Sequence, residues 1–135
     1  MFLLSIVTPE KVFCEIEAES LYVPGIDGYL GILSHHAPLI TSLIPGKIEY
    51  RDNEGNEVSL AVSGGFLEVS ENRATILADA VEGTEEIDVE RARAALERAR
   101  KRIEKGEYDS DINIDRARAA LLRALNRLRL SKRGG

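Results

Sequence analysis

The sequence predicts an all-β sandwich of about ten short antiparallel strands, followed by a C-terminal antiparallel two-helix hairpin. Three observations carry that prediction. Up to residue 80, short apolar runs alternate with turn residues and no helical period intervenes, which favours a sandwich or barrel over βαβ units. From residue 87 onward the apolar residues recur at spacings of three and four. One phrase is also written twice: Ile-Asp-Val-Glu-Arg-Ala-Arg-Ala-Ala-Leu at 87–96 returns, two residues shorter, at 114–121.

Residues 2–8 and 12–14 flank Pro9-Glu10-Lys11 and read as strand, turn, strand. Residues 15–19 alternate with period two, which places Glu15, Glu17 and Glu19 on one solvated face. Pro24-Gly25 and Asp27-Gly28 mark tight turns. Between Gly31 and Gly46 the pattern is uneven, and Pro38 and Pro45 argue against a continuous central strand. Residues 47–51 and 58–62 form the clearest hairpin, around Asp52-Asn53-Glu54-Gly55-Asn56. Ser63-Gly64-Gly65 is a sharp change of direction. Residues 66–70 and 73–78 pair around Glu71-Asn72. The seam falls near residues 82–86, giving a sandwich at 1–84 and a helical hairpin at 85–135.

In the helices, Val89, Ala92, Leu96, Ala99 and Ile103 form one stripe, and Ile114, Ala117, Leu121, Leu125 and Leu128 form another. Asp88 and Asp115 are the expected N-caps, since a short carboxylate accepts amides of the first turn. Alanine favours helix yet offers little area to bury, so the two faces adhere weakly. A hairpin of this kind docks on something or changes state.

The net charge of −5 conceals an asymmetry. Residues 1–84 carry 4 Lys/Arg against 13 Asp/Glu, and residues 85–135 carry 14 against 10. Within the latter, residues 112–135 hold 7 basic side chains and one acid, Asp115. A basic terminal helix suits an acidic protein surface or a phosphorylated ligand, or is simply a solvated face. The acidic remainder and the lack of a recognition motif speak against nucleic acid. Cys14 is the single cysteine, which points to a reducing compartment and an inert thiol. The expected chain has no signal peptide and no direct membrane span, so membrane association is expected through a partner.

No catalytic constellation emerges, and the expectation is a non-enzyme with no metal site and no required cofactor. His35 and His36 are adjacent and lack a set of further ligands. Phosphate-loop and nucleophile-elbow spacings are absent. The arginines say more. Arg91 and Arg98 share one helix face, as do Arg116, Arg123 and Arg127 on the second helix. If the hairpin closes, these guanidiniums meet around an anion, for which phosphate is the natural bidentate partner. The alternative is that they point outward into local pairs such as Arg93 with Glu97 or Glu97 with Lys101.

The run Gly28-Tyr29-Leu30-Gly31-Ile32-Leu33-Ser34-His35-His36-Ala37-Pro38-Leu39-Ile40-Thr41 closely resembles the epsilon subunit of bacterial F-type ATP synthase. The resemblance continues through Leu43-Ile44-Pro45-Gly46, Ser63-Gly64-Gly65-Phe66-Leu67-Glu68-Val69, Ala74-Thr75-Ile76-Leu77-Ala78-Asp79-Ala80 and Arg123-Ala124-Leu125-Asn126-Arg127-Leu128. It implies a ten-strand sandwich and a two-helix domain on the rotating central stalk, bound to the gamma subunit and the c-ring. It implies a peripheral place in the F1 sector, on the cytoplasmic face of the cell membrane, and torque transmission without catalysis. It further implies that the hairpin opens to restrain ATP hydrolysis, its basic last helix meeting the beta and alpha subunits transiently.

Leu33, His35, His36, Leu39 and Ile40 lie in the region the resemblance assigns to partner contact. Some family members bind ATP between the folded helices through Ile-Asp-x-x-Arg-Ala, matched here by Ile87-Asp88-Val89-Glu90-Arg91-Ala92. The resemblance thus implies a regulatory ATP site of Glu82, Ile87, Asp88, Arg91, Ala92, Arg98, Arg123 and Arg127. The rival reading is a stand-alone ATP-sensing module with no rotor role.

Overall fold

The structure, a computed structural model, describes residues 1–134, with side chains described through Ser131. The chain divides into two compact units, Met1–Gly83 and Thr84–Gly135. The first holds nine strands: β1 (Phe2–Val7), β2 (Val12–Gly25), β3 (Gly28–Leu33), β4 (Leu39–Leu43), β5 (Gly46–Asp52), β6 (Glu57–Val62), β7 (Gly65–Ser70), β8 (Arg73–Ala78) and β9 (Val81–Gly83). One layer runs β1-β8-β7-β4, and the other runs β3-β2-β5-β6-β9. The first half of β2 also pairs with β1, and its last residue, Gly25, meets Leu43 of β4. β2 is therefore the strand common to both layers.

Strict alternation builds the core. Phe2, Leu4 and Ile6 turn inward from β1, Leu67 and Val69 from β7, and Ala74, Ile76 and Ala78 from β8. Leu21, Val23, Ile32, Ile48, Leu60 and Val62 meet them from the second layer in one continuous cluster. Glu15, Glu17 and Glu19 are exposed on the other face of β2, as period two requires.

Three features depart from the expected strand pattern. β1 and β8 pair parallel, where all pairs were expected antiparallel. These strands are distant in sequence, so no hairpin geometry dictates their direction. β2 is unbroken through Pro24 and Gly25, and the turn is confined to Ile26 and Asp27. Finally, β9 adds a short strand beside β6 where the sequence showed only the approach to the seam.

The second unit opens with a 3-10 turn, Thr84–Glu86, followed by α1 (Val89–Gly106) and α2 (Ile114–Gly134). The helices pack as a hairpin on alanines: Ala92 and Ala99 of α1 and Ala117 and Ala124 of α2 are all buried. Asp88 caps α1 as expected, accepting the Arg91 N–H at 3.1 Å. α2 is capped by Asn113, which accepts the Arg116 N–H at 3.0 Å, and Asp115 sits inside the first turn instead. Leu125, assigned to the buried stripe, is exposed, and Ala124 takes its place.

Candidate functional site

Outward positions of the first layer carry an apolar row across the strands. Val12 of β2 lies beside Val7 of β1, Val7 beside Leu77 of β8, and Leu77 beside Phe66 of β7. Val12, Phe66 and Leu77 are all more than half exposed. One register step away, Glu15, Ser5, Thr75, Glu68 and Ile40 form a second row, with Ile40 75% exposed. At about 4.8 Å per strand the apolar row is roughly 15–20 Å long, the length of an amphipathic helix of ~12 residues. Carboxylates border it.

The second layer presents another cluster. Tyr22 and Tyr29 stack with ring centroids 4.9 Å apart, and Ile26 in the turn between β2 and β3 and Leu33 at the end of β3 are exposed as well. Next to them a shallow concavity of about 510 Å³ crosses β3, β2, β5 and β6 over the small residues Gly31, Ser20 and Ser59. Its far rim is the Arg51–Glu57 ion pair.

The expected partner residues therefore fall on both sides of the sandwich. Leu33 projects from the second layer and Ile40 from the first, while loop 34–38 with His35 and His36 joins them. Leu39 instead turns inward against the core. Val7, Val12, Phe66 and Leu77 were not singled out from sequence. The available signal was an exposed-parity strand position filled by a large apolar residue, as at Phe66 before Leu67.

The hairpin arginines follow from helix geometry. Arg91 and Arg98 each precede a buried alanine, Ala92 or Ala99, and Arg123 precedes buried Ala124. In antiparallel helices a residue one step before the seam lies on the same flank of both, so Arg91, Arg98, Arg116 and Arg123 share that flank. Arg127, half-buried, borders it. Gly106 packs against Ile114, which sets Arg98 level with about residue 122 and Arg91 level with about residue 129, each within one turn of Arg123 and Arg127 respectively. Ile87 is buried ahead of the cap, Asp88 is committed to the Arg91 amide, and Ala92 is in the seam. Glu82 belongs to β9 in the sandwich unit, opposite Ala61. The described local ion pair of α1 joins Glu97 to Arg100 at 3.6 Å, on neither of the expected partners.

Other chemistry is sparse among the described residues. No group of three His, Cys, Asp or Glu side chains is placed to hold a metal. Burial pushes the Cys14 thiol up from its ordinary value, against opposing hydrogen bonds with Tyr50 and the Ile6 backbone. Among the described residues, no helix is long and apolar enough to cross a membrane.

A β-sandwich with exposed apolar positions on both layers, followed by a helical hairpin with an arginine flank, defines a two-unit protein whose distinctive side chains lie on its surfaces. The comparisons make the class specific. Residues 1–84 match the beta-sandwich domain of the ATP synthase delta/epsilon chain, and residues 85–132 match its long alpha-helix domain. The chain belongs to the ATP synthase delta/epsilon chain family.

It is 54% identical over 100 residues to the ATP synthase epsilon chain of Moorella thermoacetica, covering 74% of this chain and 75% of that one. With the epsilon chain of Carboxydothermus hydrogenoformans it shares 52% over 100 residues, 74% of each. The fold recurs in a chain of the Euglena gracilis mitochondrial ATP synthase OSCP/F1/c-ring structure, with TM-score 0.75 and 23% identity, over 93% of this chain and 78% of that one. It recurs also in the central stalk/c-ring structure of the Tetrahymena thermophila enzyme, with TM-score 0.64 and 17% identity, over 98% and 94%.

Proposed function

We propose that this chain is the epsilon-type central-stalk subunit of a bacterial F-type ATP synthase, coupling the c-ring to the catalytic head without catalysing a reaction itself. It would sit peripherally in the F1 sector on the cytoplasmic face of the cell membrane. The observation that carries the reading is the pair of apolar surfaces on the two layers of one rigid sandwich. A monomer gains nothing from exposing Phe66, Leu77 and Ile40 on one layer and Tyr22, Tyr29, Ile26 and Leu33 on the other. A coupling that must grip two neighbours at once needs such surfaces. The acid-bordered row on the first layer fits a basic-edged helix of the gamma subunit, and the tyrosine cluster fits the c-ring.

The hairpin is the regulatory part of this reading. Its seam is built largely on alanines, each with little area to bury, so a ligand or partner with a modest preference can choose between closed and opened packings. ATP between the helices, with its phosphates on the arginine flank, would favour the closed form. Opened, the basic α2 would meet acidic segments of the beta and alpha subunits, with Leu122 and Leu125 exposed on its outer face. ATP is bound and sensed here, with no hydrolysis.

Reconstitution tests both parts. The full chain is expected to co-purify with gamma and the c-ring at low and high salt. Removal of residues 85–135 is expected to preserve that assembly and raise ATP hydrolysis by the head complex. Loss of co-purification under both salt conditions would overturn the rotor role, and unchanged hydrolysis would overturn the inhibitory one.

A further inference from the structure

Among the described residues, the backbone is left-handed at three non-glycine positions: His35 (φ 62°), Glu71 (φ 49°) and Asn72 (φ 58°). All three belong to one junction. The Asn72 side chain accepts the backbone N–H of His35 at 2.8 Å and donates from Nδ2 to the Met1 carbonyl at 2.8 Å. Its own carbonyl accepts the Leu3 N–H at 3.2 Å. One side chain in the β7–β8 turn thus ties the start of β1 to loop 34–38, far away in sequence.

Left-handed backbone at a histidine costs free energy and persists only where the surroundings hold it. The bond from the His36 N–H to the Leu33 carbonyl closes a β-turn with His35 as its third residue, a position that takes a left-handed φ in some turn types, so the loop's own turn accounts for part of that conformation. The loop's internal bonds are the Leu33 carbonyl to the His36 N–H at 3.2 Å and the His36 ring Nδ1 to the Ala37 carbonyl at 2.7 Å. Neither fixes position 35 from outside. Asn72 supplies that external tie, and the loop leads directly into β4, where Ile40 stands 75% exposed.

We propose that Asn72 is a positioning residue for partner binding: it holds loop 34–38 and the entry to β4 in the form that engages the gamma subunit. The inference rests on the stalk reading above. Pre-ordering a binding loop removes an ordering cost otherwise met at association. One hydrogen bond of ordinary strength corresponds to about a five- to tenfold change in affinity.

Two substitutions separate positioning from plain stability. Asn72→Gly keeps a left-handed turn accessible while deleting both side-chain bonds. Asn72→Asp keeps an acceptor for the His35 N–H and loses the donor to Met1. Binding to purified gamma subunit, amide exchange at His35 and His36, and Tm are measured on the full chain. N72G is expected to speed exchange at both histidines and weaken gamma binding about five- to tenfold. N72D is expected to bind within about twofold of the unaltered chain, whatever its Tm. Unchanged gamma binding by N72G with fast His35 exchange overturns the inference alone. So does equal weakening by both variants, in step with Tm. Absence of gamma binding by the unaltered chain overturns the inference together with the reading beneath it.

Discussion

The Asp88 carboxylate accepts the backbone N–H of Arg91 at 3.1 Å, so two residues of the proposed nucleotide motif are already joined in the helix cap. Asp88 therefore has a structural role that is independent of any ligand. Asp88→Ala is expected to destabilise α1 by about 1 kcal/mol, while Asp88→Asn retains the cap. Circular dichroism of the full chain during thermal unfolding distinguishes them. If ATP affinity falls equally in both, the carboxylate contributes to the ligand beyond its capping role. If it falls only in D88A, the cap is the whole of its contribution.

The arginine flank predicts a ligand effect. ATP at millimolar concentration is expected to slow amide exchange in α1 and α2, because a polyphosphate between facing guanidiniums ties the helices together. Arg91→Ala or Arg127→Ala is expected to abolish that protection. Exchange that is indifferent to ATP in the unaltered chain would refute the nucleotide site and leave the stalk assignment standing.

Gly65 gives a stability prediction inside the sandwich. A Cβ there would lie 2.1 Å from the Leu77 carbonyl oxygen and 2.9 Å from Ala78 Cα, at φ +143°. Strain and overlap act together, against backbone atoms that have little room to move. Gly65→Ala is expected to cost on the order of 2–4 kcal/mol and to lower Tm by roughly 10 °C or more. A Tm within a degree or two of the unaltered chain would show that β7 and β8 do not approach as closely as described.

The β5–β6 turn carries a pH dependence. Asp52 accepts the backbone N–H groups of Asn56 and Glu54, each at 2.9 Å, and the Asn56 side-chain amide at 3.2 Å. These bonds, the Asn56 backbone foremost, hold its carboxyl below the usual carboxylate value. The folded value is the lower one, so the stabilisation is fully present above about pH 4 and is lost as pH falls through the folded value. Amide exchange at Asn56, corrected for intrinsic rate, is expected to accelerate over that fall. In Asp52→Asn that dependence is expected to vanish.

Much of this architecture was legible because local rules decide it. Asp52 through Asn56 could only reverse the chain, and Glu71-Asn72 supplied the left-handed tendency of the next hairpin. The helical stripes announced α1 and α2, and Asp88 preceded a helix as a cap should. What stayed hidden depends on partners distant in sequence. The parallel β1–β8 pairing is set by how the layers close. The choice of Asn113 over Asp115 as cap turns on which residue first leaves helical geometry, a boundary that composition leaves open to within two residues. Leu125 fitted the stripe by spacing, but Ala124 occupies the seam because alanines let the helices approach. The same limit applies to the surfaces. The sequence drew attention to a contiguous segment with Leu33 and Ile40, whereas the apolar row is assembled from four strands and becomes visible only through their register.

The most direct test of the central claim is the affinity of this chain for the gamma subunit when the first-layer row is altered. Phe66 and Leu77 are more than half exposed and face each other across β7 and β8, so Phe66→Thr with Leu77→Thr removes both apolar anchors without setting like charges opposite one another, leaves the core intact and should change Tm little. Titration calorimetry is expected to show a one-to-one complex for the unaltered chain and at least a hundredfold weaker binding for the double variant, the scale of two lost apolar anchors at ~1.5–2 kcal/mol each. Equal affinity of both chains for gamma would contradict the account.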